Sequence, residues 1–176
     1  MPLRYSNNSP ETKELRNLLT LIMSSLKRLL LTGILVGTLD IIAAFTQHYL
    51  NTGKGPDGVV KFIASGLFGT TAFAGGASMV IAGLIIHYLI AISFTLIFFL
   101  LIKNIELLSV NRLVTGLLYG AFIWFIMNRI VLPITKAPPL PRTLSGDLQA
   151  LGILIACVGL PLAFLLIPKK QNVWVN

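Results

Sequence analysis

Apolar residues in this chain fall into four long runs, 29–50, 77–102, 113–135 and 148–168, separated by polar, glycine-rich or proline-rich stretches. Each run has about 20 residues or more, the number a helix needs to cross roughly 30 Å of hydrocarbon. Barrel strands need only about 9–11 residues, and lipid satisfies no backbone polar group, so the pattern predicts helices. The expected fold is an all-α membrane protein, a four-transmembrane-helix bundle occupying residues 29–168. An N-terminal arm, 1–28, precedes it and a short tail, 169–176, follows.

The connecting segments carry their own patterns. In 14–26, leucines alternate with Arg16, Asn17, Ser24 and Ser25, which suits an amphipathic helix lying on the membrane surface or extending the first span; the surface anchor is the expectation. In 51–76, a turn through Asn-Thr-Gly-Lys-Gly-Pro leads to Val59, Val60, Ile63 and Leu67 at helical spacing, a short amphipathic helix that Asp57 can cap. Gly66, Gly69, Gly75 and Gly76 would let this segment dip into the bundle as a re-entrant element, although rest at the interface is expected. The prolines in 136–141 exclude a helix there, so the third span should end near Pro133 in a stiff loop.

Lipid tails are as apolar as leucine, so helices in a membrane associate through close approach at small residues and through a few hydrogen bonds. Gly33, Gly37, Asp40, Ala44 and Gln47 share one stripe of the first helix, and Gly83 and Ala91 flank His87 on the second. Gly116 and Gly120 form a G-x-x-x-G on the third, and Gly152, Ala156, Gly159 and Ala163 line the fourth. These seams should face protein, leaving the bulky leucines and phenylalanines to lipid. Contacts inside the bundle account for such seams, and homo-oligomer contacts are compatible with them.

Composition agrees: 55% of the 176 residues are hydrophobic and 11% charged, against about 25% charged in soluble domains. The net charge of +8 does not imply nucleic acid, because the 14 basic residues form no stripe with interleaved aromatics. A lipid headgroup surface explains them. Arg4, Lys13, Arg16, Lys27, Arg28, Lys103, Arg112, Lys169 and Lys170 fall on one side, and Lys54, Lys61, Arg129, Lys136 and Arg142 on or near the other. The positive-inside rule then puts both termini in the cytoplasm. The first run is too long and starts too late for a cleaved signal peptide. A single cysteine, Cys157, cannot close an internal disulfide.

Polar groups at membrane depth are the candidates for chemistry. Asp40 lies about 17 Å into the first helix, where a lone charge costs on the order of 3 kcal/mol, so it needs a partner or a proton. His87, Arg129 and His48 come at roughly 22, 24 and 28 Å from the cytoplasmic face. A buried cluster of Asp40, Gln47, His87, Asn128 and Arg129 is expected, with Asp40 nearest to His87. It would act as a structural clasp or as a relay for a proton or small solute. Ligation of haem or a metal ion by His48 and His87 is a weaker alternative, since no ligand spacing supports it, and no cofactor is expected. With no nucleophile elbow, zinc motif or phosphate loop, the chain reads as a non-enzyme.

Gly83-x-x-x-His87 before an aromatic-rich run, then Gly116-Leu-Leu-Tyr-Gly120, Asn128, Pro133 and the proline-rich loop, resembles the YagU-type bacterial inner-membrane proteins across roughly 31–164. The resemblance implies a small bacterial inner-membrane protein linked to acid tolerance, with His87, Gly116 and Gly120 as the matching positions.

Overall fold

The computed structural model describes residues 10–139 and 143–168. Arg4, Arg142, Lys169, Lys170 and the tail 169–176 lie outside the described residues. Six helices carry the described chain: α1 (Pro10–Thr52), α2 (Asp57–Phe68), α3 (Thr71–Ala74), α4 (Ala77–Asn104), α5 (Arg112–Ile134) and α6 (Leu144–Leu166). Four of them, α1, α4, α5 and α6, are long and apolar enough to cross a membrane. Between 17% and 33% of each apolar window is buried inside the molecule, so most of that surface faces outward. Leu89, Ile81, Ile85 and Leu118 are among the exposed residues, an extent of apolar surface that water would not tolerate on a monomer. The chain is an all-α, multi-pass membrane bundle.

α1 has 43 residues and no break, about 64 Å of helix, roughly twice the hydrocarbon thickness. Residues 14–26 therefore continue the first span as a projecting rod and do not form a separate surface helix. Leu15, Leu18, Leu19 and Ile22 are exposed along it, and the first side chain it buries in the bundle is Leu29.

Where the seams meet, backbones nearly touch. A Cβ on Gly159 would lie 2.2 Å from the Gly116 carbonyl oxygen, and one on Gly120 would lie 2.6 Å from the Ile155 Cα. The α5–α6 crossing is thus made by three glycines. Gly33 and Gly37 do the same more loosely for α1 against α4, at Ile92 and Ala91. Gly152 is different from the seam residue the spacing suggested, since it is exposed and a Cβ there would meet nothing within 4 Å. The π-helical stretch between the two positions breaks the regular spacing that would put them on one face.

That widening has a cause. π-helical stretches, Ile126–Val131 in α5 and Leu154–Gly159 in α6, each end just before a proline, Pro133 and Pro161. Proline lacks an N–H and its ring collides with the carbonyl four residues back, so the preceding turn opens to i→i+5 bonding and recovers partners.

Below these turns the bundle is solid. Val36, Phe94, Phe98, Tyr119, Ile123, Val158 and Leu162 form one core in which Phe98 and Leu162 have no exposed surface. Phe94 and Phe98 thus face protein and not the lipid expected for them, because Tyr119 stacks edge-on to Phe98 at 4.7 Å and donates to the Phe94 carbonyl at 2.6 Å. Tyr119→Phe is expected to cost about 1 kcal/mol, read as a lower melting midpoint in detergent. An unchanged midpoint would mean this bond contributes nothing net.

The ends are tied by polar side chains. Asn111 accepts from the Leu113 and Val114 amides to start α5, and Thr143 accepts from Gly146 to start α6. At the other end of α6, Arg28 donates to the Leu165 carbonyl and Arg112 to that of Ile167 at 2.5 Å, which places cations at a helix C-terminus. Asp57 does not cap α2: Pro56 occupies that position without a side-chain bond, and Asp57 pairs with Lys61 at 3.4 Å.

Candidate functional site: a one-ended vestibule in the bundle

α2 is what shapes the site. The Val60 carbonyl rests on Gly83, the seventh residue of α4, where a Cβ would come within 2.0 Å of the oxygen. That position is about 9 Å inside the end of α4. Gly58 abuts His48 on α1, and the Gly66 carbonyl accepts from the Lys136 amide at 3.0 Å just beyond α5. With Val60, Ala64 and Ser65 buried, α2 lies across one end of the bundle as a roof held by protein contacts on three sides.

Beneath this roof is a cavity of about 490 Å³ reaching all four spans. Gly37, Asp40, Ala44 and Gln47 form its α1 wall, the same stripe that the sequence spacing grouped. His87, Ile90 and Phe94 contribute from α4, and Met127, Asn128 and Val131 from α5. The last three belong to the π-helical stretch of α5, and Leu154 and Val158 of the α6 π stretch stand opposite. Widened turns move these helices' side chains off a regular face, and the space between them is left unfilled.

A second recess of about 540 Å³, bounded by Pro138, Pro139, Thr143 and Asp147, adjoins the first at the α2 end. The two share Gln47, Asn128, Leu132, Thr135, Ala137 and Ala150 as wall residues, so the second recess lies directly against the cavity that Asp40 lines. At the opposite end the cavity stops on Phe94, Ile123 and Val158, which belong to the solid core. The second recess thus lies at the α2 end of the cavity, and the solid core closes it towards Leu29 and Leu166.

Of the expected cluster, four residues line this space: Asp40, Gln47, His87 and Asn128. The hydrogen bonds described for them run to different partners. His87 Nε2 lies 2.8 Å from the Gly37 carbonyl; a carbonyl only accepts, so Nε2 carries the proton and donates. Asp40 and His87 face each other closely enough to interact electrostatically, yet no ion pair or hydrogen bond joins Asp40 to another described residue. Gln47 donates to Gln149 at 3.0 Å, and Asn128 to the Trp124 carbonyl one turn back at 3.0 Å.

Arg129 does not join the buried cluster. Its side chain is 44% exposed, pairs with Asp147 at 3.7 Å and lies over the Trp124 ring at 5.5 Å. The widened turn directs Asn128 inward and its neighbour outward. The two histidines are also separate: His48 packs on Gly58 and His87 on Gly37, eleven residues apart along α1 or about 16 Å. They share no site for haem or a metal ion, and the described residues include no group of three or more potential metal ligands.

Gln149 is a polar residue that the sequence pattern does not single out. Its carbonyl oxygen accepts from both Gln47 and Asn51, at 3.0 and 3.2 Å, and so bolts α1 to α6 at the mouth. A signal existed, an amide one turn inside the start of an apolar run, but nothing in the sequence paired it with Gln47. Ile63 and Leu67 of α2 were visible with Val59 and Val60 as an apolar face without a destination; together with Phe62, which that spacing did not include, they form the ceiling.

No protein-family model matches this chain, and no curated protein or solved structure matches it either, so the reading of function rests on the geometry of the vestibule and the chemistry of its walls.

Proposed function

We propose that this chain is a small permease, a non-enzymatic membrane protein that admits a solute from its α2 end and meets it with Asp40 and His87 at mid-depth. The observation that carries the reading is the cavity that Asp40 lines, an ionisable group at membrane depth without a hydrogen-bonded partner among the described residues. A clasp needs its groups joined, whereas a carrier needs one polar group available to a ligand. The volume lies within the roughly 300–1,000 Å³ of small-molecule sites. For transport the floor of Phe94, Ile123 and Val158 must part, and the π stretches of α5 and α6 are where these helices can repack at least cost in backbone bonds. The excess of basic residues at the termini end supports a cytoplasmic location for both termini, and the YagU-type resemblance supports a bacterial inner membrane.

The test is flux. Native protein in liposomes carrying an internal pH dye is expected to dissipate an imposed pH gradient at least tenfold faster than protein-free vesicles, with Asp40→Asn returning the rate to the protein-free value and His87→Ala slowing it. Native vesicles indistinguishable from empty ones would overturn the permease. A static component of the membrane is the second reading, favoured by the cross-helix bonds His87–Gly37 and Gln47–Gln149; it expects no flux and a lower melting midpoint in His87→Ala.

A further inference from the structure

Resting on the permease reading, and going beyond it to the class of solute, we propose that the vestibule takes a lipophilic organic cation, a monovalent ammonium or phosphonium centre carried on an apolar body. The walls divide into two chemistries. Most of the lining is aliphatic or aromatic, with Phe62 in the ceiling and Phe94 in the floor, and it contains no lysine or arginine. Among the described residues the basic side chains near that end lie off the lining: Arg129 pairs with Asp147, Lys61 pairs with Asp57, and Lys136 is exposed.

Among the described lining residues the one carboxylate is Asp40. In its ionised form a carboxylate at membrane depth is stabilised by a counter-charge, and no described side chain joins Asp40 in an ion pair or hydrogen bond. A cationic ligand supplies that counter-charge. The amides of Gln47 and Asn128 are neutral, and the rings of Phe62 and Phe94 present faces that attract a positive centre. An anion would be repelled by ionised Asp40, and His87, the one base among the described lining residues, commits its Nε2 proton to the Gly37 carbonyl. A neutral apolar molecule would leave the carboxylate without a partner. A strongly hydrated small cation would lose its water to aliphatic walls that offer few oxygens in return.

The experiment compares two probes of nearly the same shape, methyltriphenylphosphonium and neutral triphenylphosphine oxide, by equilibrium dialysis against the full chain in a non-ionic detergent, with empty micelles as background. The native chain is expected to bind the phosphonium at least tenfold more tightly than the oxide. Asp40→Asn should remove that preference while leaving oxide binding unchanged, and Asp40→Glu should keep it. Ile90→Trp, which fills the cavity, should abolish binding of both.

Equal binding of the two probes, insensitive to Asp40→Asn but lost in Ile90→Trp, would overturn the cation assignment and leave the vestibule as a solute site. Binding that survives Ile90→Trp would mean that the probes sit elsewhere, and would overturn the proposal. No binding of either probe would overturn the cation assignment and count against the permease too. Should Asp40→Asn fail to fold, the Asp40→Glu chain decides, because loss of phosphonium preference with the charge retained contradicts the proposal.

Discussion

Gly159→Leu is expected to abolish the folded bundle in detergent, leaving aggregated material where the native chain is monodisperse. Even an alanine at this position would place its Cβ 2.2 Å from the Gly116 carbonyl oxygen and 2.7 Å from the Gly120 amide nitrogen. Those are backbone atoms of a helix, so nothing can rotate away and α5 must separate from α6 along its length. Overpacking where side chains can adjust costs about 1–3 kcal/mol; here Gly159→Ala should cost roughly 3 kcal/mol or more, and leucine should exceed what a small bundle can absorb. Gly152→Leu is the matched control on the same helix, since open space surrounds it, and should change stability by less than about 0.5 kcal/mol. Equal melting midpoints for the two leucine variants would show that the three-glycine crossing is not what holds these helices.

Gly83→Leu is expected to displace α2 selectively. The contact is again backbone to side chain, since a Cβ on Gly83 would lie 2.0 Å from the Val60 carbonyl oxygen, but one partner is a helix of 12 residues held by its neighbours and not a full span. The cheaper response is for α2 to swing off α4, taking Phe62, Ile63 and Leu67 out of the ceiling while the core of Phe98, Tyr119 and Leu162 stays packed. Hydrogen exchange should show protection lost across 57–68 and retained across 112–125. In a Cys157→Ser background, Ile90→Cys should become labelled by a water-soluble maleimide at least tenfold faster when Gly83→Leu is added. Unchanged labelling, or uniform loss of protection, would show that α2 is not a separable roof.

Together these expectations divide the molecule into a solid half and an open half. The solid half, towards the termini, is built where glycines let α5 and α6 touch and where Tyr119 locks α5 to α4. The open half begins at the proline-driven wide turns, so the same residues that interrupt regular helix also line the cavity. Pro133 and Pro161 were legible as helix breakers in principle, but their effect on Asn128 and Arg129 was not. A regular helix offsets neighbouring residues by about 100°, and the sequence could not say that a π turn would put one in the cavity and the other against Asp147.

By itself the sequence determined that four helices are long and apolar enough to cross lipid, where each begins and ends to within a few residues except the start of α1, and which stripe of α1 turns inward. Those properties follow from hydrocarbon thickness, helical periodicity and the cost of an unpaired backbone group, all of which act locally along the chain. Only the tertiary structure decided that Gly159 is a contact and Gly152 is not, that α2 roofs the bundle, and that Asp40 lines a cavity without a hydrogen-bonded partner among the described residues. Each of those outcomes depends on how two helices are rotated and offset against one another, which is set by the fit of side chains far apart in the chain and leaves no mark in the spacing of either helix alone.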